Sequence, residues 1–279
     1  MKNGSIMSDI LQTPSRTRFD AGGLLRGAGL AWFLVAAAGQ WTFVWYILNV
    51  YGVTTAAGNP QDWNETGLMV GYVDGDWFGN LMFGVHVLLA AVITMGGTLQ
   101  LVPVLRKRLP ALHRWNGRIF MVIAVVLAVG GLWMTWLREA RLSDLGALGV
   151  SLNGILILIA APIALRLAMK RRIDQHRRWA MRLFILVNGV WFFRIGFMAW
   201  IIIMQGPVGS TRQLDGPFDL TLAFACYLLP LAVLELYFRA GRAQSAAPKL
   251  AVAGLVLLLT LVTAVGIFGA WMFMWSPHL

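Results

Sequence analysis

The chain has 279 residues, of which 58% are hydrophobic and only 13% charged, with a mean hydropathy of +0.69. Soluble domains carry about 25% charged residues, so this composition excludes a soluble globular domain and makes the bilayer the relevant solvent. The net charge of +11 would suggest nucleic acid as partner of a soluble protein. In a membrane protein it reads as the positive-inside bias, with anionic lipid as partner and no nucleic acid expected.

A helix needs roughly 20 consecutive apolar residues to cross the hydrocarbon core. Such runs predict seven spans, over about 27–50, 80–105, 117–138, 148–169, 180–204, 218–238 and 250–275. The fold class is therefore all-α: a multi-pass transmembrane helix bundle forming one membrane domain over 27–275, with tails 1–26 and 276–279. Ahead of the first span lie Arg16, Arg18 and Arg26, and Ala36-Ala37-Ala38 resembles a signal-peptide cleavage site. The apolar run nevertheless continues through Trp41, Phe43 and Trp45 to Val50, so an uncleaved first helix is expected. Only the connection 51–79 is long; the short ones predict antiparallel, compactly packed neighbours.

Charge along the chain sets an orientation. The ends flanking spans one, two–three, four–five and six–seven hold 19 of the 23 Lys and Arg residues on one side. Arg138, Arg141 and Arg212 fall on the other side, and Arg194 lies within a span. The rule predicts the N-terminus inside and the C-terminus outside, in a bacterial cytoplasmic (inner) membrane. Asp62, Glu65, Asp74, Asp76, Glu139, Asp144, Asp215 and Asp219 all fall on the outer side. Carboxylates can bind a hard cation, but their spacing matches no cation-binding loop and reads as solvated loop charge. The single cysteine, Cys226, lies in an apolar run and supports neither a disulfide nor a CxxC site.

Two short segments resemble each other: His113-Arg114-Trp115-Asn116-Gly117-Arg118 opens the third span, and His176-Arg177-Arg178-Trp179-Ala180-Met181-Arg182 opens the fifth. Each follows an inward-running helix and a basic turn, as parallel repeats about an axis along the membrane normal would. The arginines suit lipid phosphates, and the tryptophans suit the interfacial aromatic belt. Asp174 can pair with an arginine or hold the His176 ring in one tautomer. His113 and His176 share a depth, which a bis-histidine haem b site would need, although both lie at the surface. His86 stands about 9 Å into the second span without a histidine at its level, and His278 is next to the C-terminus.

Arg194 lies about 15 Å deep in the fifth span. A central arginine costs about 2.5–3.5 kcal/mol on insertion scales, so it should face the bundle interior. No carboxylate shares its depth; Gln40, Tyr227 and His86 are the nearest polar candidates. An unpaired cation there suits an anionic or carbonyl-bearing ligand. The bland reading is that it bonds helix carbonyls and stacks on Trp191. Pro103, Pro162 and Pro230 can bend their helices. No P-loop, nucleophile elbow or HExxH pattern is present.

The run from His86 through Gln100, Pro103 and Arg106 to His113-Arg114-Trp115-Asn116-Gly117-Arg118 resembles bacterial predicted membrane proteins of domain of unknown function 2306. So does Asp174-Gln175-His176-Arg177-Arg178-Trp179-Ala180-Met181-Arg182, followed by Arg194. The chain departs from the family pattern at Trp179-Ala180-Met181, where tryptophan commonly stands directly before methionine. The resemblance covers about 80–204. It implies a multi-pass membrane protein of no established activity, with His86, His113, His176 and Arg194 as the residues to test.

The leading expectation is a membrane protein with an intramembrane polar ligand site at His86 and Arg194, bordered by Gln40 and Tyr227. His113, Arg114, Arg118, Asp174, His176, Arg177, Arg178 and Arg182 form a second candidate group at the inner face. The alternatives are a haem- or quinone-associated electron-transfer protein, a transporter of a small anionic solute, and a lipid-interacting structural protein. In the haem case His86, His113 and His176 are the candidate ligands. A homo-oligomer is compatible with each.

Overall fold

The computed structural model describes residues 20–66, 70–141 and 143–279. Lys2, Arg16 and Arg18, expected in the N-terminal tail, lie outside the described residues. Among those described there are ten α-helices and no strands. They are α1 (Ala21–Ile47), α2 (Val53–Ala56), α3 (Trp77–Leu101), α4 (Pro103–Arg108), α5 (Pro110–Trp136), α6 (Asp144–Met169), α7 (Ile173–Val187), α8 (Gly189–Met204), α9 (Pro217–Arg242) and α10 (Ala246–Ala270).

Helices are the expected solution because backbone polar groups in hydrocarbon must be satisfied within their own segment. Six helices or helix runs are long and apolar enough to cross a membrane, and the bent pair α7–α8 brings the number to seven when it counts as one span. Local sequence sets several ends. Asp20, Asp76 and Ser143 accept hydrogen bonds from the amides of Gly23, Gly79 and Gly146 at the starts of α1, α3 and α6, as N-caps do. Helix α3 stops at Leu101 rather than near 105, because Pro103 forces Val102 into an extended conformation (φ −77°, ψ 111°). Pro103 thus starts α4 instead of bending a span. Pro110 begins α5 in the same manner, so His113 lies within the first turns of a helix.

The helices close a ring: α1 packs along α10, α10 along α8, α8 against α9, α9 against α6, α6 against α5, α5 against α3, and α3 back onto α1. Close approach requires glycine at two crossings. A Cβ at Gly266 on α10 would collide with the Ile195 carbonyl oxygen of α8, and one at Gly149 on α6 would meet the Ala223 carbonyl oxygen of α9 at 2.8 Å.

The fifth span is not the continuous helix expected over 180–204. It starts at Ile173, breaks at Asn188, and its halves diverge by 56°. No proline lies at the break. Asn188 leaves the helical region (φ −87°, ψ 9°) and donates from its own side chain to the Phe184 carbonyl at 2.8 Å. Asn153 of α6 donates to the Leu186 carbonyl at 3.1 Å, and Gln40 of α1 donates to Asn188 Oδ1 at 3.0 Å. Three amides therefore satisfy the backbone and side-chain groups that the break frees within the membrane. Its consequence for packing is direct. Helix α8 stays along α10, while α7 lies against α6 and α9.

Candidate functional site

The divergence of α7 from α8 accompanies a cleft of about 1410 Å³. Its lining is strongly two-toned. Arg26, Arg106, His113, Arg114, Arg118, Arg177 and Arg178 stand at one end, with Asp174 and His176 among them. Toward the middle of the bundle the walls turn apolar, ending on Gly196 and Ala199 of α8 and on Leu222, Cys226 and Leu229 of α9. The end bearing the arginines is termed the basic face and the opposite side the acidic face.

The basic rim combines fixed and free groups. Glu235 of α9 takes up Arg182 in a 2.7 Å ion pair that ties α7 to α9. Arg182 also covers Trp179 at 4.8 Å, just as Arg118 covers Trp115 at 4.9 Å. The likeness of the two His-Arg segments is thus repeated as the same cation–π pair, although α5 is unbroken and α7 is not. Arg106, Arg114, Arg177 and Arg178 make no ion pair among the described residues. Asp174 does not hold the His176 ring. The Ala164 carbonyl lies 2.9 Å from His176 Nδ1; a carbonyl only accepts, so Nδ1 carries the proton and Nε2 of the neutral ring keeps its lone pair. At the same face the α3–α5 connection is pinned by Gln100 donating to the His113 carbonyl at 2.9 Å and Asn116 to the Gly96 carbonyl at 2.8 Å.

The membrane-embedded candidates are dispersed. His86 of α3 faces the Gly130-Gly131 pair of α5, where a Cβ on Gly131 would lie 3.5 Å from its Cε1. Its Nδ1 is buried without a hydrogen-bond partner among the described residues. Arg194 stacks over Phe43 of α1, 5.4 Å from the ring centroid, rather than over Trp191. Its Nη1 reaches the Val190 carbonyl at 3.4 Å. No hydrogen bond joins His86 to Arg194 among the described residues. Gln40 is engaged with Asn188, and the Tyr227 hydroxyl donates to the Gly149 carbonyl at 3.1 Å, tying α9 to α6.

Several carboxylates on the acidic face are engaged as well. Asp76 pairs with Arg138 at 2.9 Å, while Arg138 also donates to Asn80 at 2.8 Å and to the Gly71 carbonyl at 3.1 Å. This guanidinium anchors the long 51–79 connection onto α3. Asp144 holds Arg141 at 2.7 Å and pushes its guanidinium above its ordinary pKa, mainly through that hydrogen bond. Buried Asp219 accepts from Ser210, Thr211 and Gly216. No group of three or more His, Cys, Asp or Glu side chains suited to a metal occurs among the described residues.

Residues passed over in the sequence are Asn153 and Asn188. Their signal was present: Asn188-Gly189 is a turn-forming dipeptide inside an apolar run, and an intramembrane amide seeks a partner. No curated protein and no solved structure matches the chain. The model of one family matches residues 83–238, more than half the chain and reaching from α3 through α9. The chain therefore belongs to the predicted membrane protein family of domain of unknown function 2306.

Proposed function

We propose that the protein binds an anionic amphiphile of its membrane, with the apolar chain in the cleft and a phosphate-bearing head among the rim arginines. The observation that carries this reading is the two-toned lining: a deep apolar wall continuous with a rim where Arg106, Arg114, Arg177 and Arg178 make no ion pair among the described residues. The tail contributes little, because it moves from lipid to a similarly apolar wall. The head must therefore supply the affinity through charge-assisted hydrogen bonds from arginine to phosphate. Such contacts at the membrane surface weaken with salt. On this reading the basic face is cytoplasmic, where anionic lipid attracts polybasic segments, and the membrane is a bacterial inner membrane with the C-terminus outside.

Native mass spectrometry of the detergent-purified chain with dioleoyl phosphatidic acid tests the proposal, with dioleoylglycerol as the headless control. Phosphatidic acid should be retained and the control lost, and Arg114→Gln with Arg177→Gln should weaken retention about tenfold or more. Equal retention of both lipids would sink it.

One observation favours a second reading, haem or quinone association. His113 and His176 line the same cleft, and the Ala164 carbonyl holds the His176 ring with Nε2 open, as orienting partners do for metal-ligating histidines. A reduced-minus-oxidised absorption spectrum of protein made with ample haem decides it. A stoichiometric Soret band lost in His176→Ala supports haem, and a flat spectrum removes it.

A further inference from the structure

Near the acidic face, α1 and α10 lie side by side and both continue into π-helical turns, Leu48–Gly52 and Trp271–Trp275. Single π turns inside helices redirect side chains and recur at functional sites. Here the two turns bring Tyr51 and Trp275 onto Phe43 and Tyr46 of α1. The Phe43 and Trp275 ring centroids are 5.3 Å apart, those of Tyr46 and Trp275 6.2 Å, and Tyr46 meets Tyr51 edge-on at 6.0 Å. Arg194 closes this box over Phe43.

The polar inventory of the box is one-sided. Tyr46 and Trp275 are 1% and 0% exposed. The Tyr46 hydroxyl, Trp275 Nε1 and Arg194 Nε are all buried and lack a hydrogen-bond partner among the described residues. Indole and guanidinium nitrogens only donate, and a phenol can donate. No carboxylate pairs with Arg194 among the described residues. Three buried groups able to donate, one of them a guanidinium, thus sit in one aromatic cluster without a hydrogen-bond partner among the described residues, an arrangement that is costly unless something completes it.

We infer that the box holds one small monovalent anion, of halide size, between Arg194 Nε–H, the Tyr46 hydroxyl and the Trp275 indole N–H. One unit of charge matches the single guanidinium. Enclosure by buried rings and a single positive charge favour a small ion over a lipid head, and the positive edges of the rings suit a weakly hydrated, polarisable ion. This site is separate from the cleft and from its basic rim.

Iodide quenches indole fluorescence on contact, so it serves as both ligand and reporter. It is titrated into the detergent-purified full chain at constant ionic strength, balanced with gluconate. The expected result is a saturable quenching component that chloride displaces, absent in Trp275→Phe and at least tenfold weaker in Arg194→Gln. Should Arg194→Gln fail to fold, Tyr46→Phe keeps the ring, removes one donor, and should weaken the component several-fold. Purely linear quenching in the parent chain overturns the inference. So does a saturable component that survives Trp275→Phe, or one that Tyr46→Phe and a folded Arg194→Gln both leave unchanged.

Discussion

The amide cluster at the break of the fifth span gives a prediction whose size can be worked from the structure. Asn188→Ala removes the acceptor of Gln40 Nε2 and the local bond to the Phe184 carbonyl. It leaves the Gln40 amide, 0% exposed, with an unmet donor. Orphaning a buried polar group costs about 1–3 kcal/mol, whereas measured interhelical bonds in membranes average about 0.6 and reach about 1.7 kcal/mol. The single variants Asn188→Ala and Gln40→Leu should each lose about 1–2 kcal/mol on these two scales. The double variant leaves neither cross-helix partner orphaned. It should be more stable than the sum of the two losses predicts, by about 0.6–1.7 kcal/mol. Reversible unfolding in mixed dodecyl maltoside and dodecyl sulfate, followed by far-ultraviolet circular dichroism, reads all four corners of the cycle. Losses additive within about 0.3 kcal/mol would mean that the α1–α7 amide bond does not hold the break.

Three further outcomes follow from other contacts. Gly266→Ala puts a methyl against the Ile195 carbonyl and should cost about 1–3 kcal/mol, while Gly254→Ala on the same helix meets nothing within 4 Å and should not destabilise; detergent melting temperatures compare them. Arg138→Met leaves Asp76 without its ion-pair partner, while Asn80 Oδ1 keeps the Val73 amide, and should lose about 1–3 kcal/mol, below the cost of breaking a fully buried pair because Asp76 remains 36% exposed. Limited proteolysis should then cut within 51–79 sooner than in the parent. A phosphatase reporter fused after Leu279 should be active only on the outer side, and activity confined to the cytoplasm would reverse the proposed orientation.

The spans were legible in the sequence because each is a long apolar run that no soluble fold would expose. Their ends were less so. Pro103 and Pro110 moved the second and third spans by several residues, through a backbone effect that hydropathy averaging does not see. The break at Asn188 was hidden for a similar reason: one amide and one glycine barely lower the apolar mean of a span. Arg194 was conspicuous as a lone intramembrane charge, yet its surroundings were not. Phe43 and Tyr46 of α1 and Trp275 beyond α10 come from opposite ends of the chain and meet where α1 packs along α10. The cleft has no sequence signal at all, since its width depends on helix tilts. Its rim did, in the paired His-Arg segments. Asp174 was the nearest acidic partner for His176 along the chain, but the Ala164 carbonyl one turn across the hairpin reaches the ring instead.

The central claim is that an anionic amphiphile occupies the cleft, and photocrosslinking with phosphatidic acid bearing a diazirine near the chain end tests it most directly. After irradiation of the protein in vesicles, the account predicts adducts on Gly196 and Ala199 of α8 and between Leu222 and Leu229 of α9, reduced by Arg114→Gln with Arg177→Gln. Adducts confined to outward-facing residues such as Leu258 and Leu261 of α10, 59% and 66% exposed, and unchanged by the arginine substitutions, would contradict it.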